Sequence, residues 1–241
     1  MAGTVVIIPT YNEIENIEAI VRAVFSQSED IHILVVDDNS PDLTAIKVKE
    51  LQKEFTNRLH LEVREEKSGL GTAYIHGFKW SLERDYSYVF EMDADFSHNP
   101  EDIKRLYHAC HVDGADMSIG SRYVTGVNVV NWPMTRVLMS YLASKYVRFI
   151  TGMKIHDTTA GFVCYKKEVL QAIDLNAIKF IGYAFQIEMK FKAYLKQFKI
   201  IEVPVIFTDR TKGESKLSSG IISEAIFGVI SMKLKSLFKK S

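Results

Sequence analysis

Short apolar runs rich in β-branched residues alternate along this chain with segments of helical periodicity, and this alternation constrains the fold more than any other feature. Strands that alternate with helices pair in parallel, because each helix returns the chain to the same edge of the sheet. We therefore expect an α/β fold with a mainly parallel central sheet and helices on both faces. The predicted strands span residues 5–8, 33–36, 59–63, 88–92 and 117–119.

Several predicted helices have recognisable first turns. Asn12 or Thr10 can cap the first helix, Asp42 with Thr44 can begin the second, and Pro100 suits a first helical turn because that turn leaves its N–H groups unpaired. The predicted helices span 14–25, 44–55, 102–111, 134–150 and 183–194, and further strands are predicted at 162–165 and 200–207.

The length of 241 residues suits one α/β domain. We expect that domain to cover residues 1–217. Residues 218–241 have a helical pattern with one broad apolar face and several lysines towards the end. Such a helix either docks on the domain or lies on an anionic membrane surface.

Composition gives no support for a nucleic-acid-binding, disulfide-rich or membrane-spanning protein. Lys plus Arg equals Asp plus Glu at 30 each, so net charge gives no reason to expect a nucleic-acid partner. The two cysteines, Cys110 and Cys164, fit a reducing compartment and are expected to be packing residues. No uncharged apolar run reaches the roughly 18 residues of a membrane span, and residues 1–9 lack the basic start of a signal peptide.

Polar residues follow the first two predicted strands, where open parallel sheets bind their ligands. Pro9, Tyr11 and Glu13 follow the first strand, and Asp37 and Asp38 follow the second. An aromatic ring beside carboxylates can sandwich a nucleotide base and accept hydrogen bonds from its ribose. Either cluster alone is better explained as a turn after its strand, with Asp and Asn as turn-forming residues. A dinucleotide-binding dehydrogenase is excluded because no Gly-x-Gly-x-x-Gly turn follows the first strand.

The fourth strand is followed by a pair of aspartates, Asp93 and Asp95. Side chains two residues apart in an extended segment point the same way, so both carboxylates can face one pocket and bind a hard divalent cation together with a diphosphate. One Asp-x-Asp occurs by chance in a chain of this length, at roughly 6% Asp. Polar clusters after three successive strands are much less expected by chance.

Basic residues occur further along. Arg122 follows another strand, and Arg136 and Ser140 are neighbours on one helix face, so these groups suit a phosphate. Arg136 alone would also be an ordinary surface residue. Arg210 and Lys216 lie in a glycine-containing charged loop that could close over a diphosphate and neutralise the leaving group. The alternative is a solvated loop.

These motifs together resemble the signature blocks of the dolichol-phosphate (polyprenol monophosphate) mannosyltransferases, which are inverting, metal-dependent family 2 glycosyltransferases of the GT-A fold. The matching blocks occur in the same order as in that family and cover nearly the whole chain. They are Thr10-Tyr11-Asn12-Glu13, Asp37-Asp38-Asn39-Ser40-Pro41-Asp42, residues 69–77, Asp93-Ala94-Asp95-Phe96-Ser97-His98-Asn99-Pro100, Gly120-Ser121-Arg122-Tyr123 and residues 209–217.

The resemblance implies a role for each matching residue. Asp95 would bind Mg²⁺ or Mn²⁺ with Ser97 beside it, where some relatives carry Gln, and Asp95, Arg210 and Lys216 would be catalytic. Arg122 with Arg136 and Ser140 would meet the acceptor phosphate. GDP-mannose would contact Pro9, Tyr11, Glu13, Val36, Asp38, Asp93, Ala94, Asp95, Arg122, Arg210 and Lys216.

The implied reaction is inverting transfer of mannose from GDP-mannose to a polyprenyl (dolichyl) phosphate. The chain resembles relatives that consist of the catalytic domain alone, so we expect a peripheral protein at the cytoplasmic face of a membrane, with a small membrane-anchoring subunit as a potential partner. Two alternatives stay open: a family 2 transferase with another donor such as UDP-glucose, and a non-catalytic binding module.

Overall fold

The computed structural model describes residues 1–182, 184–209 and 219–238, with only the backbone at 219–226 and 238. The strands are β1 (Thr4–Thr10), β2 (Ile31–Asp37), β3 (Leu59–Val63), β4 (Tyr88–Glu91), β5 (Met117–Ser121), β6 (Val129–Val130), β7 (Val163–Lys166), β8 (Ile200–Pro204) and β9 (Phe207–Thr208). The helices are α1 (Ile17–Phe25), α2 (Thr44–Leu51), α3 (Leu70–Leu82), α4 (Ile103–His111), α5 (Met134–Thr151), α6 (Lys167–Ala172), α7 (Ala184–Leu195) and α8 (Ser219–Phe238).

Seven strands form the central sheet in the order β3-β2-β1-β4-β7-β5-β8, and β6 pairs with β9 in a separate ribbon. Every pairing in the sheet is parallel except those of β7, which runs antiparallel between β4 and β5. The predicted mainly parallel sheet is therefore confirmed. The antiparallel direction of β7 was not predicted, because a buried apolar run reads the same in either direction.

Alternate residues of the central strands pack on opposite faces of the sheet, as the two-residue period of a strand requires. Val5 and Ile7 lie in one core, with apolar side chains of α3, α6 and α7. Val6 and Ile8 lie in the other, with side chains of α1, α2 and α4. The central strands are thus buried on both faces, which explains why their sequences are continuously apolar.

The predicted starts of the first two helices were only partly right. Helix α1 begins at Ile17 rather than at residue 14, because the hydroxyl of Thr10 donates to Asp37 and Asn12 adopts a left-handed φ of 58°. Helix α2 begins at Thr44 as predicted, and Asp42 accepts the Thr44 N–H, but the helix ends at residue 51 rather than 55.

Later elements follow the sequence more closely. Pro100 begins a short 3₁₀ turn that leads into α4, and Asn99 caps this turn by accepting the Glu101 N–H. Helix α5 matches its prediction within one residue, and α7 begins at residue 184, directly after an undescribed residue. The predicted strand 200–207 is wrong as one element: it divides after Pro204 into β8 and β9.

Both cysteines are buried free thiols, as predicted from their scarcity. Helix α8 packs against α5 and α7, where Val229 is buried and Lys233 donates to the carbonyl of Thr151. The described part of α8 therefore contacts the α/β domain through these two helices. No helix of the described residues is long and apolar enough to cross a bilayer.

Candidate active site

The predicted site residues collect at one edge of the sheet. Strands β1 to β5 and β8 all run in the same direction, so their carboxyl ends lie at that edge. β1 lies between β2 and β4, which places the segment after β1 between the segments that begin with Asp38 and Met92. The loop that precedes antiparallel β7 ends at the same edge, because β7 begins there.

The predicted nucleotide residues follow β1 and β2. Pro9 and Val36 are direct neighbours in the sheet, and the N–H of Asp38 donates to the carbonyl of Thr10. The ring of Tyr11 lies 4.3 Å from the ammonium of Lys67. Glu13 follows, and its carboxylate accepts from Asn16 at 2.9 Å. The aromatic ring and the two acidic side chains thus lie on adjacent segments, as predicted.

Asp37 has a structural role that differs from that of Asp38. It is fully buried, and its carboxylate accepts hydrogen bonds from the hydroxyls of Thr10 and Ser40 and from the Ser40 N–H. Asp37 therefore closes the turn after β2. Asp38, by contrast, is paired with a basic side chain at the sheet edge.

Arg64 is that basic side chain, and the sequence analysis missed it. Its Nε donates to Asp38 at 2.6 Å, and its Nη1 donates to the hydroxyl of Thr72 at 2.8 Å. Gly69 contributes its carbonyl to the same guanidinium and adopts a φ of 100°, a conformation that favours glycine. Arg64 thus joins Asp38 to the start of α3. A lone arginine after an exposed edge strand carries no signal of this role.

The segment after β4 forms a tight turn that presents Asp93 and Asp95. Phe96 adopts a left-handed φ of 61°, and Asp95 accepts the N–H of Ser97 at 3.0 Å. Ala94 is buried inside the turn. The hydroxyl of Tyr74 donates to Asp93 at 3.4 Å. Burial and, secondly, the charge of Asp93 raise the pKa of Tyr74, so the phenol stays protonated as a donor.

Asp95 and Ser97 fit a divalent cation in one respect. The Ser97 hydroxyl is buried beside Asp95 and has no hydrogen-bond partner among the described residues, so a metal ligand role would satisfy it. No group of three His, Cys, Asp or Glu side chains within residues 1–182, 184–209 and 219–238 could hold a metal ion. A cation here would need water and substrate oxygens to complete its shell, as Mg²⁺ commonly does.

Arg122, which was predicted to bind phosphate, is almost completely buried. Its guanidinium donates from Nε and Nη2 to the two oxygens of Asp157 at 2.7 and 2.6 Å, and also to Thr159. Burial alone would raise the pKa of Asp157, but Arg122 outweighs it and the net shift is downward. The guanidinium therefore also anchors the loop before β7. Asp157 was missed because its partner lies 35 residues away.

The predicted acceptor residues lie next to Arg122. The ring of Trp132 lies close to both Arg122 and Arg136, 5.4 Å from the guanidinium of Arg122 and 4.0 Å from that of Arg136. Arg136 also forms an ion pair of 2.7 Å with Asp209. Burial raises the pKa of the Tyr123 phenol, and the neighbouring Ser140 opposes this shift. Arg122 therefore contacts the rings of both Tyr123 and Trp132, Arg136 contacts Trp132, and Ser140 lies beside the Tyr123 phenol. Arg210 and Lys216 lie outside the described residues.

A buried polar network lies under the Asp93 turn, and the sequence analysis missed it as well. Glu91 accepts from Tyr165 and from Gln186, and Lys190 donates to Gln186 and to the carbonyl of Ala160 at 2.6 Å. Burial raises the pKa of Glu91 to about 7 and lowers that of Lys190 to about 8. The network ties β4 and α7 to the loop that carries Asp157.

Comparison with known proteins agrees with this geometry. The profile of glycosyl transferase family 2 matches residues 5–174. The polyprenol monophosphomannose synthase of Mycolicibacterium smegmatis is 50% identical over 94% of this chain and 85% of that protein. The undecaprenyl-phosphate mannosyltransferase of Micrococcus luteus is 45% identical over 92% of this chain and 90% of that protein.

More distant relatives extend the comparison. The dolichol-phosphate mannosyltransferase of Pyrococcus furiosus is 40% identical over 91% of this chain, which spans 60% of that longer protein. The crystal structure of glucosyl-3-phosphoglycerate synthase from Mycobacterium tuberculosis with Mn²⁺, UDP and phosphoglyceric acid superposes with a TM-score of 0.70 over 96% of this chain and 77% of that chain. At 15% identity this likeness shows the fold alone, and it confirms the predicted GT-A fold.

The family profile spans more than half of the chain, and the three relatives are at least 40% identical to it. Those motifs of the resemblance that fall within the described residues lie together at the carboxyl edge of the sheet. The chain is therefore a glycosyltransferase and belongs to glycosyl transferase family 2.

Proposed function

We propose that this chain transfers mannose from GDP-mannose to a polyprenyl phosphate, with inversion at the sugar and with help from Mg²⁺ or Mn²⁺. The observation that carries the choice of substrates is the identity of 45–50% to relatives named as polyprenol- and undecaprenyl-phosphate mannosyltransferases, over more than nine-tenths of this chain. The site geometry supports the same chemistry, because acidic and basic groups meet at the ligand-binding edge of the sheet.

The donor would bind across the ends of β1, β2 and β4. In this proposal Tyr11 stacks on the base, Glu13 and Asp38 accept hydrogen bonds from the nucleoside, and Arg64 keeps the Asp38 carboxylate in place. Pro9 and the Val36 backbone form the floor of this pocket. Asp93 and Ala94 would continue the donor site towards the sugar.

The diphosphate would lie at the Asp93–Ser97 turn. Asp95 and Ser97 would hold the divalent cation, whose chemistry is to neutralise charge on the departing diphosphate. Arg210 and Lys216 would add positive charge from the segment that follows β9 in the sequence. Solved fold neighbours contain Mn²⁺ together with UDP, which supports metal use on this fold without deciding between Mg²⁺ and Mn²⁺.

The acceptor phosphate would approach from α5. One of its oxygens attacks the anomeric carbon, the bond from that carbon to the diphosphate oxygen breaks, and the nucleoside diphosphate leaves. A phosphate oxygen is already anionic near neutral pH, so no side chain needs to remove a proton. Arg136 and Ser140 would bind the phosphate, which would compete with Asp209 for the Arg136 guanidinium. Arg122 would complete this group.

An apolar stripe on α5 supports contact with a membrane surface. Met134, Leu138, Leu142 and Phe149 lie along one side of the helix and are between 51% and 86% exposed. Residues 117–156 contain five Lys or Arg and no Asp or Glu, in a chain with no net charge. An apolar helix face in a segment rich in Lys and Arg suits an anionic lipid surface. In this proposal the protein is peripheral at the cytoplasmic face, and the same stripe would serve a small membrane-anchoring subunit.

The domain boundaries follow from the same proposal. Residues 1–217 would form the catalytic domain, and α8 would be a helix docked on it. Its exposed residues Phe227, Leu234 and Leu237 would enlarge the apolar surface that α5 begins.

The decisive experiment measures transfer of labelled sugar to a short polyprenyl phosphate from GDP-mannose, with UDP-glucose in parallel, in Mg²⁺, Mn²⁺ or chelator. Metal-dependent transfer from GDP-mannose is expected. Transfer from UDP-glucose alone would replace the donor assignment, and transfer from neither would refute both donors and point to another donor or a missing partner. Asp95→Asn should lose at least about a hundredfold in kcat, whereas Asp113→Asn, an exposed control, should not change it. An active Asp95→Asn enzyme would refute the proposed metal site.

The membrane contact has its own test. Co-sedimentation with vesicles that contain anionic lipid should fall for the double variant Leu142→Glu, Phe149→Glu, because two charges enter the apolar stripe. Val112→Glu places the same charge at an exposed apolar residue after α4 and should leave binding unchanged. Equal binding by all three proteins would place the membrane contact elsewhere.

A further inference from the structure

His98 follows the Asp93–Ser97 turn and is only 2% exposed. Its imidazole stacks on the ring of Phe162, with centroids 5.0 Å apart and planes at 13°, and it meets the edge of Phe207 at 5.4 Å. Two aromatic contacts and near-complete burial hold the ring in one orientation. A histidine in such a pocket is either a packing residue or a group whose nitrogen atoms are used.

One ring nitrogen has a defined partner. The backbone N–H of Asp93 points at Nδ1 of His98 at 3.0 Å. A backbone N–H can only donate, so Nδ1 is the acceptor and the neutral ring carries its proton on Nε2. Nε2 lies 4.0 Å from the Asp93 carboxylate, so the imidazole faces both the backbone and the side chain of Asp93.

We propose that His98 is a positioning residue of the donor site, which holds the backbone of Asp93 and thereby fixes the turn that presents the Asp93 and Asp95 carboxylates. The role in donor binding rests on the proposed function, whereas the role in fixing the turn does not. Without an acceptor in this pocket, the N–H of Asp93 loses this hydrogen bond, and the turn must rearrange to give it another acceptor.

Two substitutions separate positioning from packing, because they make opposite changes. His98→Phe keeps a buried aromatic ring against Phe162 and Phe207 but removes the acceptor. His98→Asn removes the ring but can place its Oδ1 near the position of Nδ1. A packing role predicts that Asn is the more harmful change at the turn. A positioning role predicts that Phe is the more harmful change there, although Asn costs more in melting temperature.

The first measurement is hydrogen exchange of a peptide that covers residues 92–99 in the ligand-free protein. His98→Phe is expected to speed exchange at Asp93 by roughly tenfold or more, which is the effect of losing one buried hydrogen bond, and His98→Asn is expected to restore most of the protection. This measurement needs no substrate. It therefore decides the inference even if the protein proves not to use GDP-mannose.

The second measurement is calorimetric binding of GDP, and of UDP in parallel, with Mn²⁺. His98→Phe is expected to weaken binding of the preferred nucleotide by roughly tenfold, with partial rescue in His98→Asn. Wild-type protein that binds neither nucleotide would count against the proposed function but not against the exchange result. Exchange in His98→Phe within twofold of wild type, with His98→Asn the faster of the two, would overturn the inference.

Discussion

Replacing Asp157 by Asn is expected to destabilise the protein by about 3–5 kcal/mol, the usual cost of leaving a buried charge without its partner. Arg122 donates to the Asp157 carboxylate from its backbone N–H at 2.9 Å, from Nε at 2.7 Å and from Nη2 at 2.6 Å. The two side chains are 9% and 0% exposed. Asn conserves the volume, so the change reports on lost charge and hydrogen bonding rather than on a cavity.

The measurement is urea unfolding at neutral pH, in which the midpoint shifts while the slope stays constant. In thermal unfolding the same loss corresponds to roughly 6–20 °C for a domain of this size. The matched control is Glu54→Gln, which breaks an ion pair with Arg22 whose side chains are 43% and 52% exposed. That surface pair should contribute far less than the buried pair, because water and salt screen exposed charges.

The pH dependence has a defined sign. Because Arg122 lowers the pKa of Asp157 in the folded state, this carboxylate stabilises the protein above its unfolded pKa of about 3.9, and the contribution is lost as pH falls through the lower folded pKa. The difference between wild type and Asp157→Asn should therefore be constant near neutral pH and shrink in acid. A loss below about 1 kcal/mol at pH 7, or one equal to that of Glu54→Gln, would refute the reasoning.

Three further predictions concern other parts of the fold. Burial raises the pKa of Glu91 from 4.5 to about 7, so the stabilisation by this side chain is present below pH 4.5 and is lost as the pH rises to about 7. The difference in unfolding free energy between wild type and Glu91→Gln should therefore decline across that window. A difference that does not change with pH would contradict the shift. Gly77→Ala would place a Cβ 2.7 Å from Ile7. Urea unfolding should show that the free energy of unfolding falls by up to about 2 kcal/mol, because the steric clash outweighs the higher helix propensity of Ala. An unchanged unfolding midpoint would contradict this prediction. Arg64→Met releases Asp38 and should raise the Kd for GDP by roughly tenfold with little change in kcat, whereas a change in kcat alone would place Arg64 outside nucleotide binding.

Patterns that are local in sequence were enough to predict most of the sheet and the edge that carries the site. A buried parallel strand needs an apolar run of a few residues, so β1 to β5 could be located without any knowledge of their neighbours. The direction rule for such strands then placed Tyr11, Asp38, Asp93 and Arg122 at one edge, where the structure has them.

The errors came from residues that had two competing partners. Thr10 is a good helix cap in isolation, but its hydroxyl donates to Asp37, 27 residues away, so α1 begins later than its sequence suggests. A strand prediction over 200–207 could not detect that the chain leaves β5 after Pro204 and pairs with β6 instead. Strand pairing depends on which segment is near, and that is a property of the whole fold.

The fold class, the family motifs and the residue types at the sheet edge could be read from the amino-acid sequence, because apolar periodicity and turn chemistry act over a few residues. The groups that hold those residues in place depend instead on long-range contacts of the folded chain. Arg64 meets Asp38 across 26 residues, Asp157 meets Arg122 across 35, and Gln186 meets Glu91 across 95. Burial in a shared interior removes water as the alternative partner, so each of these polar groups must bond to whichever side chain the fold brings beside it.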